Sequence, residues 1–320
     1  MLLCFIKIKS LLILYKSQFQ LYMKIYDCFM FFDEEMLLDL RLNILDKYVH
    51  KFVITEAKYM HNGEPKKLIF NIDKFSKFKD KIIYIVVDKV PPNLEKINKN
   101  DGEEIINAKK QSNAYKRHIY QLEETRLGIL DAGPDDIIIV SDLDEIPNLE
   151  KVDFRKIRKK LIFFKQKMFY YKLNLYYKLI PWYGSKACKK KHLRSARWIQ
   201  WIKNKKYPLW RLDILFSKEK YHDIHFIADG GWHFTNIKSP EEIEKKLRSF
   251  VHYKDYESSG LNLNDLKRLI NEKKVMYNHK IDKKKDRWKG GGKLETLELQ
   301  EMPRYIIENY QKYKLWLDKV

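Results

Sequence analysis

The stretch Asp136-Ile137-Ile138-Ile139-Val140-Ser141-Asp142-Leu143-Asp144-Glu145-Ile146-Pro147 constrains the fold more than any other part of the chain. Four consecutive β-branched residues come after an acidic pair, a pattern that fits a short strand covered on both faces. Such strands belong to open α/β sheets, which bind ligands just beyond the carboxyl ends of their strands. Three carboxylates therefore fall where a ligand is expected. Asp142 and Asp144 are two residues apart, so an extended backbone projects both side chains to one side, and Pro147 keeps the strand from running on. Two hard oxygen donors suit Mg²⁺ or Mn²⁺, which take one or two protein carboxylates and complete their shell with water and substrate phosphates. An isolated Asp-x-Asp is common as a solvated turn. The unbroken strand before it and Glu145-Ile146-Pro147 after it favour a metal site here.

The first half of the chain alternates between strand and helix patterns. Lys24 to Phe32 reads as a first strand. Glu34 to Tyr48 carries Met36, Leu37, Leu40, Ile44 and Leu45 at helical spacing, and Lys51 to Glu56 reads as a second strand. A third strand over Lys81 to Val87 leads to Pro91-Pro92, and a helix from about Ile105 to Leu130 ends near Gly128 and Gly133-Pro134. This order predicts an α/β fold with a mainly parallel sheet flanked by helices, complete near Pro147. The expected division is an extension over residues 1–22 and one domain over 23–320, with a first half to residue 150 and an aromatic-rich second half after it.

The chain has 320 residues, 45% of them hydrophobic, enough to bury a large catalytic core. Its 64 basic residues against 43 acidic ones give a net charge of +21, compatible with nucleic acid, an anionic membrane or phosphorylated substrates. The lysines are spread without a helix-turn-helix, zinc-finger or RNA-binding signature, so nucleic acid is not the expected partner. Cys4, Cys28 and Cys188 are far apart with no Cys-x-x-Cys pair, which argues against a disulfide framework or structural zinc and for a reducing, cytoplasmic setting. Near the N-terminus, Leu11-Leu12-Ile13-Leu14-Tyr15 is interrupted by Lys7, Lys9 and Lys16. It is too short and charged to span a bilayer, and reads either as a peripheral membrane contact or as an extension upstream of Met23.

The second half is rich in aromatics, including Phe163, Phe164, Phe169, Tyr170, Tyr171, Trp182, Trp198, Trp201 and Trp210. Most are expected in the core, with a minority facing a cleft where they can stack on sugar rings or a base. Lys283 to Gly292 is the best candidate for a mobile loop. In Asp229-Gly230-Gly231-Trp232-His233-Phe234-Thr235, paired glycines permit close backbone approach and bring Asp229 and His233 towards an aromatic wall. An ordinary tight turn is the alternative.

Several stretches together resemble glycosyltransferase family 17. They are Tyr26-Asp27-Cys28-Phe29, Phe31-Phe32-Asp33-Glu34, Arg41-Leu42-Asn43, Phe52-Val53-Ile54-Thr55-Glu56, Gly63-Glu64-Pro65-Lys66, Ser141 to Pro147, Gly231-Trp232-His233-Phe234 and Met302-Pro303-Arg304-Tyr305. The resemblance runs from about Lys24 to about Leu315. It implies a GT-A fold, a UDP-sugar donor (UDP-GlcNAc in the family), a divalent cation such as Mn²⁺ or Mg²⁺ at Asp142 and Asp144, and inversion at the anomeric carbon. Inversion requires one carboxylate base, for which Asp229 is the expectation and Glu145 the alternative. His233 is expected at the metal or diphosphate, Glu56 at the donor, and Lys66 or Arg117 against phosphate charge. Two departures stand out. No convincing transmembrane segment is read in the sequence, and the family's His-x-Glu pattern appears as His252-Tyr253-Lys254, which leaves the acceptor open among protein, lipid-linked and polysaccharide glycans.

Two other classes compete. A nucleotidyltransferase or phosphotransferase would share paired carboxylates but require a second acidic metal-binding strand, and a nonenzymatic basic binding protein would leave the strand-terminal Asp-x-Asp unexplained.

Overall fold

The computed structural model describes residues 23–208, 210–250, 253–278, 288 and 291–319. The readings of residues 1–22, of His252 and of most of Lys283 to Gly292 lie outside the described residues.

The chain opens with strand β1 (Ile25–Met30), helix α1 (Glu35–Leu45), β2 (Lys51–Ala57) and β3 (Ile82–Val87). Helix α2 (Glu103–Glu123) continues as a tighter turn over Glu124–Ile129 and leads to β4 (Ile137–Val140). The expected helix to Leu130 is thus a regular helix that tightens in its final turns. Then come β5 (Glu145–Pro147), β6 (Leu161–Phe164), β7 (Gln166–Tyr170), β8 (Leu175–Trp182) and β9 (Lys186–Lys189). The rest comprises α3 (Ala196–Trp201), β10 (Ile224–Ile227), β11 (Gly231–Thr235), α4 (Pro240–Ser249), α5 (Tyr253–Ser259), α6 (Leu263–Asn271), β12 (Glu295–Thr296), α7 (Arg304–Glu308) and α8 (Tyr310–Tyr313).

Two mixed sheets result. The larger has the order β10-β6-β9-β4-β1-β2-β3. β4, β1, β2 and β3 run parallel in register, as the alternating pattern predicts, with Ile25 opposite Ile137 and Cys28 opposite Val140. This sheet is not complete near Pro147. The antiparallel β9, together with β6 and β10 from the second half, extends it beyond β4. The smaller sheet, β12-β8-β7-β11-β5, takes β5 from the first half, so residue 150 separates neither sheet.

The hydrophobicity of β4 has a simple cause. Ile137 and Ile139 enter the core beneath α1, with Phe29, Leu38 and Ile54, while Ile138 and Val140 enter the opposite core with Cys28, Val53 and Leu122. Each such buried side chain contributes roughly 1.5–3 kcal/mol of burial free energy, which holds β4 and the residues after it in place. Cys28 and Cys188 are buried as free thiols in the second of these cores. Phe163, Phe164, Phe169, Tyr170 and Tyr171 are core residues, whereas Trp201 and Trp210 are exposed. Among the described residues no helix is long and apolar enough to cross a membrane.

Candidate active site

The acidic motif lies where the chain passes from one sheet to the other. β4 ends at Val140, Glu145 N–H donates to the Asp142 carbonyl at 3.1 Å, and the chain re-enters as β5. A turn, not an extended strand, therefore presents Asp142 and Asp144. Pro147 is the last residue of an edge strand opposite Gly231, a position that tolerates the missing N–H.

Arg41 of α1 holds this turn. Its guanidinium, fully buried, donates Nε and Nη2 to Asp27 at 2.8 and 2.6 Å, and Nη2 also reaches Ser141 Oγ at 2.6 Å. Nη1 donates to the carbonyls of Asp142, Leu143 and Glu145 at 3.0, 3.1 and 2.8 Å. One rigid fork thus ties β1 to the backbone that carries the carboxylates. Glu145 braces it from the other side: Oε2 accepts from Asp142 N–H at 2.8 Å and Oε1 from Trp182 Nε1 at 2.6 Å. A Cβ on Gly184 would lie 1.9 Å from this carboxyl, so any side chain there would displace it. Burial, then the charges of Asp142 and Asp144, push the Glu145 carboxyl well above the usual range.

Asp142, Asp144, Glu145 and His233 line one cleft of about 550 Å³. Burial, reinforced by Asp144, pushes Asp142 up to about 6, and Gln200 at the end of α3 donates to its Oδ1 at 3.3 Å. Asp144 lies 3.7 Å from His233 Nε2 and 4.0 Å from Lys246 Nζ, and Lys246 is itself 3.1 Å from Glu34. His233 stacks on Trp182 at 4.8 Å, burial pushes it down to about 4, and its buried Nδ1 has no hydrogen-bond partner among the described residues. At neutral pH it is an uncharged imidazole beside a carboxylate.

These groups fit a divalent cation. Burial beside a second carboxylate disfavours the charged form of Asp142, a cost that a bound cation would relieve. Among the described residues no group of three or more His, Cys, Asp and Glu forms a metal cage. Mg²⁺ or Mn²⁺ does not need one when a diphosphate supplies the remaining oxygens.

Other expected site residues fall elsewhere. Asp229 is exposed in the turn before β11 and does not line the cleft. The glycines beside it serve strand packing: a Cβ on Gly230 would lie 2.4 Å from Lys165 N, and one on Gly231, at φ +117°, 2.2 Å from the Ile146 carbonyl oxygen. Glu56 and Lys66 also lie outside the cleft lining. The buried Glu56 carboxylate accepts from Ile69 N–H, Phe70 N–H and Tyr84 Oη at 2.9, 3.1 and 2.8 Å and pairs with Lys66, which gives both a structural partner. Arg117 donates to the His61 carbonyl at 3.1 Å and packs beneath Gly63, bracing a loop beside the cleft.

The cleft's lining includes two aromatic groups. His61 contacts His118 and Phe250 at ring separations of 5.2 and 4.9 Å, near Tyr115 and Gln121. The second comprises Trp182, Tyr277 and Trp288, the last two 5.3 Å apart, with Asp255 of α5 also in the lining.

The model of glycosyltransferase family 17 matches residues 14–319. The chain belongs to glycosyltransferase family 17. The cleft around Asp142 and Asp144 is its candidate active site. The chain is also similar to the β-1,4-mannosyl-glycoprotein 4-β-N-acetylglucosaminyltransferases of Homo sapiens, at 25% identity, and Rattus norvegicus, at 24%. Each match covers 88% of this chain and 52% of the relative, so the chain spans about half the length of the curated relatives it matches. No solved structure matches this family 17 chain.

Sequence reasoning missed Gln200, His61, Lys246 and Asp255 in this family 17 site, and took up Arg41 only within a motif. Lys246 is one of 64 basic residues, and nothing local marks it. His61 carries a testable consequence. Burial, then the neighbouring His118, pushes its imidazole down to about 3. Because the folded value lies below the unfolded one, about 6.5, stability is fully present above about pH 6.5 and is lost as pH falls towards about 3, by roughly 1.4 kcal/mol per unit. Urea titrations at about pH 7 and about pH 5 are expected to show an acid-induced loss roughly 2 kcal/mol smaller in His61→Leu than in the wild type. Equal losses would contradict a buried neutral His61.

Proposed function

We propose that this glycosyltransferase moves GlcNAc from UDP-GlcNAc onto a hydroxyl of a glycan acceptor, with inversion, using a GT-A-type sheet and a divalent cation at Asp142 and Asp144. The observation that carries the reading is the pairing of these carboxylates, just past the end of a buried parallel strand, with an aromatic cleft of about 550 Å³. The donor sugar rests on the names of the similar human and rat proteins. When bound, Mg²⁺ or Mn²⁺ supplies positive charge against the oxygens of the departing diphosphate. The phosphate role expected of Lys66 or Arg117 passes to Lys246, whose ammonium lies in the cleft beside Asp144. Trp182, Tyr277 and Trp288 offer ring faces on which an acceptor sugar can stack.

In the displacement, an acceptor oxygen bonds to the anomeric carbon as the carbon–oxygen bond to the diphosphate breaks, and the hydroxyl proton must go to a carboxylate. With Asp229 outside the cleft, Asp255 is our candidate base. It restores an acid where the family's His-x-Glu pattern is broken, one residue beyond Lys254, and it shares the lining with the second aromatic group. Glu145, bonded through both oxygens, positions Asp142 and Trp182 instead. Asp255→Asn is expected to slow UDP release from UDP-GlcNAc with Mn²⁺ by about a hundredfold or more while UDP binding by calorimetry is unchanged. An unchanged rate would remove Asp255 as base; failure of the wild type to bind UDP would remove the donor.

A further inference from the structure

The segment joining α3 to β10 displays apolar side chains to solvent. Trp210, Leu212, Leu215 and Phe216 are 75, 67, 71 and 89% exposed. Ile214, in the same tight turn over Leu212–Phe216, is buried at 4% and anchors the turn, so its neighbours are held outward. Residues 203–220 also carry six basic side chains against Asp213 and Glu219, a local charge of +4. Lys203 pairs with Glu219 at 3.3 Å, and Arg211 and Lys220 pair with Asp213 at 2.6 and 3.3 Å. Exposed Lys205, Lys206 and Lys218 stand outside those pairs.

We propose that this segment docks the enzyme on an anionic membrane, with Trp210, Leu212, Leu215 and Phe216 entering the headgroup boundary and the lysines meeting lipid charge. Exposed Trp, Leu and Phe beside exposed lysines suit an interface that is apolar below and negatively charged above, and the chain's charge of +21 complements such a surface. The placement matters for the cleft. The segment leaves α3 directly after Gln200, which touches Asp142, and Trp201, which stacks on the cleft residue Tyr115 at 5.2 Å. Docking therefore brings the rim of the cleft to the lipid surface.

The test is flotation of the full chain with vesicles of phosphatidylcholine alone and of phosphatidylcholine mixed with phosphatidylglycerol. The wild type is expected to float with the mixed vesicles, and less as salt is raised. Trp210→Ser with Phe216→Ser is expected to weaken that partitioning at least about tenfold. Lys205→Glu with Lys206→Glu should weaken it on the mixed vesicles only. Both pairs are exposed, so melting temperatures should be unchanged. Residues 1–22 are intact in every variant, so equal flotation of wild type and Trp210→Ser/Phe216→Ser would assign membrane binding elsewhere and overturn the proposal. So would wild-type self-association that this variant abolishes, without any flotation.

Discussion

Replacing Arg41 by leucine is expected to cost about 3–5 kcal/mol of folding stability and to abolish activity even where the protein still folds. The substitution leaves Asp27 as a buried, unpaired carboxylate and removes the donor to three carbonyls of the 142–145 turn. Against a total stability of about 5–15 kcal/mol, that is a large fraction. Arg41→Lys should fall short as well, because an ammonium cannot span Asp27, Ser141 and three carbonyls at once. A double replacement of Asp27 and Arg41 by leucine separates the two effects. It removes the buried charge pair together, so urea denaturation should show part of the stability recovered. UDP release should stay absent, because the turn still lacks its clamp. Full stability in Arg41→Leu, or activity in the double variant, would contradict the positioning role.

The acidic turn was legible because its surroundings are. Ile137 to Val140 fits a strand covered on both faces, as the structure shows, and residues just past the carboxyl end of such a strand in a parallel sheet sit at a ligand site. The parallel run β4, β1, β2, β3 was legible for the same reason, each strand being separated from the next by a helical or looping stretch. The extension of that sheet by β9, β6 and β10 was not. Leu161–Phe164 and Lys186–Lys189 are short segments whose partners lie far along the chain, and periodicity says nothing about which edge a strand joins.

The site shows a similar split. Asp142, Asp144, Glu145 and His233 meet in the cleft because β5 and β11 pair directly, with His233 opposite Glu145. Asp229 looked equivalent in sequence, but the glycines after it are spent on close strand packing and leave it outside. Glu56 and Lys66 show the commoner fate of strand-end charges: a satisfied pair whose carboxylate takes two backbone N–H groups and a tyrosine hydroxyl. Asp255 reaches the cleft through its helix, and Lys246 through a helix capped by Ser239 and Glu242, placements that depend on tertiary packing.

Loss of Asp144 is expected to have the largest catalytic effect. Its carboxylate is one of two hard donors at the cleft floor, and its neighbours His233 and Lys246 cannot replace an anionic ligand. On the proposed reading, removing the interaction that would hold a diphosphate-bound cation forfeits several kcal/mol of transition-state stabilisation, a loss of at least about 10³-fold. Asp144 is also partly accessible, so its replacement should leave the fold intact, unlike that of Arg41.

The most direct measurement is UDP release from a panel of UDP-sugars with Mn²⁺, comparing wild type, wild type with EDTA, and Asp144→Ala. Release from UDP-GlcNAc in the wild type that disappears with EDTA and in the variant is the predicted result; undiminished release in Asp144→Ala, or no release from any UDP-sugar, would contradict the account.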